Sequence, residues 1–171
     1  TLLLATFAIG IGIGSLTCEK LSKNSIELGI IPIGAIGLSL FTFDLFLFST
    51  NLSINQPLTA KNFISDINNW RLIIDLTMIG ASGGIFSVPF YAAIQDRANP
   101  KYLSRIIAAN NIINAIFMVS ASILAITFLS IGFTIPEFFI LISLMNIFMV
   151  VYLNFSSKLF FGRFFKLMKS L

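Results

Sequence analysis

Histidine is absent from this chain, and cysteine and tryptophan each occur once. Without histidine there is no His-based zinc site, no Ser-His triad and no His-Asp pair of the kind that glycerolipid acyltransferases use. The lone Cys18 has no partner for an internal disulfide or a cysteine cluster and reads as a packed thiol. We therefore expect no enzyme, no cofactor and no metal. Charge is scarce as well: charged residues make up 11% of the chain, too few to give a bundle of apolar helices a water-facing coat. Gly10, Gly12 and Gly14 superficially resemble a nucleotide-binding loop. They lie inside an apolar run, however, with no strand before them and no Gly-x-x-x-x-Gly-Lys pattern.

What remains is apolar, and it comes in long pieces. Twenty uncharged residues separate Asp75 from Asp96, thirty-one separate Arg105 from Glu137, and twenty separate Glu137 from Lys158. About 18 such residues suffice to cross a bilayer as a helix. The pattern predicts an all-α polytopic bundle of five spans: Leu2–Thr17, Ile26–Phe48, Leu72–Ile94, Ile106–Phe133 and Phe138–Phe155. Lipid cannot satisfy free backbone N–H and C=O groups, so the segments must be helical unless a barrel closes. The alternating segments of roughly 10 residues that a barrel needs are missing. At 28 residues the fourth span measures ~42 Å, longer than a hydrocarbon core of roughly 30 Å, and should tilt or protrude.

The basic residues favour alternate breaks. Lys20 and Lys23, then Arg97, Lys101 and Arg105, then Lys158, Arg163, Lys166 and Lys169 fall on one side; only Lys61 and Arg71 fall on the other. The positive-inside rule makes the first and third breaks and the C-terminus cytoplasmic, and Thr1 external. These loops account for the net charge of +4, which gives no argument for nucleic acid. Trp70, Tyr91 and Tyr102 fall near the expected interfaces. An external start, an odd number of helices and no signal-peptide pattern lead us to expect the C-terminal part of a larger transporter. Residues 1–160 then form the spans, and 161–171 a tail with Arg163, Lys166 and Lys169 on one side and Phe161, Phe164, Phe165, Met168 and Leu171 on the other. Such a tail lies against anionic lipid or serves as a simple stop-transfer flank. Asn51-Leu52-Ser53 matches a glycosylation sequon of a kind common by chance.

Polar groups inside the spans are the candidate functional residues. Asp44 and Asp75 sit at similar depth, near the outer ends of the second and third spans. They form a proton or cation site or gate with Arg71, or else Asp75 pairs with Arg71 at i, i+4 while Asp44 meets interfacial water. In the fourth span Asn110, Asn111, Asn114, Met118, Ala121, Ser122 and Ala125 fall within roughly 120° at about 100° per residue. This stripe lines a watery pathway, bonds a neighbouring helix, or does both. The third span adds Gly80, Ser82, Gly83 and Gly84, then Pro89, which should kink or loosen it. Glycine-broken helices near the midplane are where transporters place substrate, so Gly83, Gly84 and Pro89 join the pathway candidates. The spacings Gly10/Gly14 and Gly80/Gly84 also suit close helix packing.

The stretch from Gly83-Gly84-Ile85-Phe86-Ser87-Val88-Pro89-Phe90-Tyr91 to Gln95-Asp96-Arg97, followed by Ser104-Arg105-Ile106-Ile107-Ala108-Ala109-Asn110-Asn111-Ile112, resembles the tenth and eleventh helices of bacterial lysophospholipid transporters of the major facilitator superfamily. Gly10-Ile11-Gly12-Ile13-Gly14-Ser15-Leu16-Thr17-Cys18-Glu19-Lys20 resembles their eighth helix and the turn after it. The resemblance is to the form fused to a lysophospholipid acyltransferase and an acyl-carrier-protein ligase, in which a segment such as Phe160–Leu171 leads into the enzyme. It implies helices eight to twelve of twelve, an N-terminal transporter half as partner, residence in the bacterial inner membrane, and lysophospholipid as cargo for re-acylation. It also implies that Asp44 and Asn146 lie on peripheral helices. Alternatives are a membrane anchor for an acyltransferase, a porter for another solute, or a non-functional remnant.

Overall fold

The computed structural model describes residues 1–22, 27–50 and 59–156, together with 162 and 164. The sequon and nearly all of the expected interfacial tail lie outside the described residues. Six helices follow one another: α1 (Leu2–Ser22), α2 (Ile31–Ser49), the short α3 (Ala60–Ser65), α4 (Trp70–Arg97), α5 (Leu103–Ser130) and α6 (Ile135–Ser156). No strand occurs among the described residues. All but α3 belong to stretches long and apolar enough to cross a membrane, as the five apolar runs require.

Helix α4 is the hub, with α1 on one side and α2 on another, and α2 in turn carries α6. The α1–α4 seam is closed by glycines. A Cβ at Gly10 would lie 2.9 Å from the Thr77 carbonyl carbon, and one at Gly84 would lie 2.7 Å from the Ile11 carbonyl oxygen. The two backbones therefore touch, which only small residues permit. Matching levels rise together along both helices, Gly10 with Thr77 and Gly14 with Ala81, so α1 and α4 run parallel. Helix α2 runs against them: Gly34 faces Phe86 and Gly37 faces Ser82. Leu28, Ile30, Ile31, Ala35 and Leu45 are buried where α2 and the turn before it enter the bundle.

The α2–α6 seam is polar instead. The Ser143 hydroxyl donates to the Ser39 carbonyl at 2.9 Å, and the Asn146 amide donates to the Ala35 carbonyl at 2.7 Å and the Ser39 hydroxyl at 2.8 Å. Helix α5 stands apart from this core and buries none of its residues.

Several boundaries depart from the expected spans, two of them for identifiable reasons. The fourth span, α5, ends at Ser130 rather than Phe133 because Gly132 adopts φ 102°. The Gly132 N–H bonds the Leu129 carbonyl at 3.2 Å and the Phe133 N–H bonds the Phe128 carbonyl at 3.2 Å, a Schellman termination. Immediately afterwards Thr134 and Glu137 form a reciprocal capping box that starts α6, with the Thr134 N–H 2.7 Å from Glu137 Oε2 and the Glu137 N–H 3.4 Å from the Thr134 hydroxyl. At the other boundary, α1 continues past Thr17 to Ser22, whose hydroxyl bonds the Cys18 carbonyl at 2.7 Å, and Cys18 is buried as expected.

Helix α4 runs unbroken from Trp70 through Gly80, Gly83, Gly84 and Pro89 to Arg97, so the expectation of a glycine-broken helix is corrected. Packing of Gly80 and Gly84 on α1 holds the helix where propensity alone would weaken it.

Candidate functional site

Polar side chains gather at two places, at opposite ends of α4. At its N-terminal end Arg71 reaches across to α2 and holds Asp44 with both arms of its guanidinium: Nε donates to Oδ2 at 3.2 Å and Nη2 donates to Oδ1. The Phe48 ring lies beneath the same guanidinium, 5.5 Å from centroid to carbon. This arrangement overturns the intrahelical Arg71–Asp75 pair. Antiparallel packing of α2 on α4 brings Asp44 level with Arg71, and a fork-to-carboxylate bond is stronger than an i, i+4 contact. Asp75 is left below the pair, 2% exposed, and its Oδ2 has no hydrogen-bond partner.

About 20 residues further along, or ~30 Å, is the second place. The Asn114 amide on α5 donates to the Tyr91 hydroxyl on α4 at 2.8 Å. The stripe thus bonds a neighbouring helix, at this position at least. Leu103, Ile107, Asn110, Ala125 and Phe128 are the less exposed positions of α5, and they share its stripe face. Burial on that face is partial and confined to its two ends; Asn111, Asn114 and Met118 between them are exposed.

Beside the stripe, α5 and α6 frame a groove of about 620 Å³. Phe117, Leu124, Phe138, Leu141, Ile142 and Met145 supply most of its wall, with Ser120 and Ser122 the polar exceptions. Both serine hydroxyls are turned back onto their own helix, Ser120 to Ile116 and Ser122 to Met118, at 2.9 Å each, leaving the groove apolar. Asn114 precedes Phe117 by one turn, so its amide lies one turn beyond one end of an apolar trough.

Of the other expected pathway residues, Gly84 and Pro89 are buried, and Gly84 packs on α1. Gly83 looks the other way, into open space. Asn146 serves as a clamp between α6 and α2. Tyr91, expected only as an interfacial ring, emerges as the partner of Asn114; a phenol one turn before the end of an apolar run was the signal available. Among the described residues no three acidic, histidine or cysteine side chains are grouped to hold a metal ion.

Helix polarity also sorts the basic residues. Lys20, Arg97, Lys101 and Arg105 occupy one end of the bundle and Lys61 and Arg71 the other. Compared with protein-family models, with curated proteins and with solved structures, the chain matches none.

Proposed function

We propose that this chain is part of a secondary membrane transporter that moves lysophospholipid across the bacterial inner membrane for re-acylation, with its C-terminus in the cytoplasm. The observation that carries the reading is the α5–α6 groove, with the Asn114 amide one turn beyond its end. Its volume of about 620 Å³ falls in the range of roughly 300–1,000 Å³ typical of small-molecule sites. An apolar trough suits a single acyl chain, and Asn110, Asn111 and Asn114 suit the hydroxyl and phosphate oxygens of a head group. The resemblance in Gly83–Arg97 and Ser104–Ile112 points to the same class of cargo. Helix α5 buries none of its residues, which supports a second set of helices, the N-terminal transporter half, as its partner. An acyltransferase with an acyl-carrier-protein ligase would consume the cargo. Clustering of Lys20, Arg97, Lys101 and Arg105 at one end supports the orientation.

The test is photolabelling in membranes with a lysophosphatidylethanolamine whose acyl chain carries a photoreactive group. Saturable labelling concentrated on Phe117, Leu141 and Met145, displaced by unlabelled lysophospholipid, is expected. Unsaturable labelling spread evenly over all lipid-facing helices would reduce the groove to an ordinary lipid contact.

A further inference from the structure

The ionic cluster at the far end of α4 takes no part in that reading. It contains two carboxylates, Asp44 and Asp75, and one guanidinium, Arg71. Arg71 is committed to Asp44 through two hydrogen bonds, so Asp75 faces a carboxylate whose countercharge is already used. Asp75 is buried, and its Oδ2 lies out of reach of water without a donor. An ionised carboxylate left so is costly: burial removes its hydration, and Asp44 repels it.

The ionisable groups of the surrounding elements do not change the balance. Helix α1 carries no charged side chain before Glu19, near its opposite end, and brings only the Thr1 amino group to this one. Helix α2 brings Asp44 alone, and the α3 segment brings Lys61 and Asp66, both exposed. Asp44 and Arg71 are thus the charged side chains that α2 and α4 bring to this end beside Asp75. One added positive charge makes the cluster neutral.

We propose that Asp44, Arg71 and Asp75 form a binding site for a single proton, carried by Asp75 and facing Asp44. The occupant is a proton rather than a metal cation. A guanidinium inside the cluster repels a metal ion, and hard cations need about six or more oxygen ligands where this site has two carboxylates. A proton needs one oxygen and turns the orphan acceptor into a donor. The site stands on the α2–α4 seam whether or not the chain handles lipid.

Infrared difference spectroscopy of the full chain in lipid, between acidic, neutral and alkaline media, tests the site. The wild type should show the carbonyl band of a protonated carboxylic acid, sensitive to deuterium exchange, in mildly acidic medium and lose it in alkaline medium. Asp75→Asn should remove the band and Asp66→Asn should keep it. Asp44→Asn should remove it too, because Arg71 is then released to hold Asp75 ionised. If Asp75→Asn does not accumulate, the wild-type spectrum and the Asp44→Asn arm decide. Absence of the band in the wild type in mildly acidic medium overturns the proposal, as does its survival in both variants. Loss of the wild-type band on adding sodium at constant pH would give the site to a metal ion and overturn it equally.

Discussion

The amide of Asn146 on α6 reaches the backbone carbonyl of Ala35 on α2, 2.7 Å away and 111 residues earlier in the chain. With the Ser143–Ser39 bond it anchors α6, whose outer faces are otherwise exposed. Interhelical hydrogen bonds in membranes are worth about 0.6 kcal/mol on average and up to ~1.7. Asn146→Leu removes two of them, leaving the Ala35 carbonyl and the Ser39 hydroxyl without that donor. We expect a loss of about 1–2 kcal/mol, measured by unfolding in mixed micelles.

A different variant isolates the glycine seam. Gly10→Val and Gly80→Val each drive side-chain atoms into the facing backbone, whereas a Cβ at Gly12 meets nothing within 4 Å. Overpacking costs about 1–3 kcal/mol where neighbours can yield, and a backbone cannot yield as a side chain does. Gly10→Val and Gly80→Val should lower thermal stability in detergent and Gly12→Val should not. Equal damage from Gly12→Val would mean that general helix propensity, and not the seam, was being read.

The Arg71–Asp44 pair should matter less to stability than its geometry suggests. The two side chains are 52% and 37% exposed, and pairs so open contribute about 0.2–1 kcal/mol. Arg71→Gln combined with Asp44→Asn should therefore destabilise the bundle less than Asn146→Leu does in the same micelle assay. The reverse order would show that the pair is shielded from water in the membrane.

Asn114→Leu should lower lysophospholipid uptake by the intact transporter while abundance stays near normal. Loss of one contact of about 1 kcal/mol corresponds to roughly fivefold in affinity. Tyr91→Phe separates the two roles of the amide. If Asn114 acts on cargo, Tyr91→Phe leaves uptake largely intact; if it only ties α5 to α4, both variants lose abundance and uptake together.

Cysteine labelling of intact cells, in a Cys18→Ser background, should reach positions 59–69 and miss positions 98–103. Labelling of both segments from outside would refute the orientation drawn from Lys and Arg.

Five spans were legible because length and apolarity are local properties, and Gly10/Gly14 with Gly80/Gly84 revealed a packing face through helical spacing alone. The partner of Arg71 was not legible. Spacing along one helix offers Asp75 as its neighbour, while Asp44 arrives only through the antiparallel docking of α2. The resemblance puts Asn146 on a peripheral helix, but its clamp on Ala35 depends on a backbone carbonyl, which leaves no mark in a sequence. The end of the fourth span was written in Gly132 and in the Thr134-x-x-Glu137 pattern; apolarity on both sides of the turn masked it. The stripe on α5 was visible as a face, and its bond to Tyr91 was not.

The turn between α5 and α6 bears on how the chain enters a membrane. Gly132 and Phe133 send their N–H groups back onto α5, and Thr134 and Glu137 satisfy each other at the start of α6. The rings of Phe128, Phe133 and Phe138 gather around them. Few polar groups are stranded, and Glu137 is the turn's single charge. The two helices can thus cross the bilayer as a preformed hairpin during biogenesis, with the turn leading, before either has docked on the rest of the bundle.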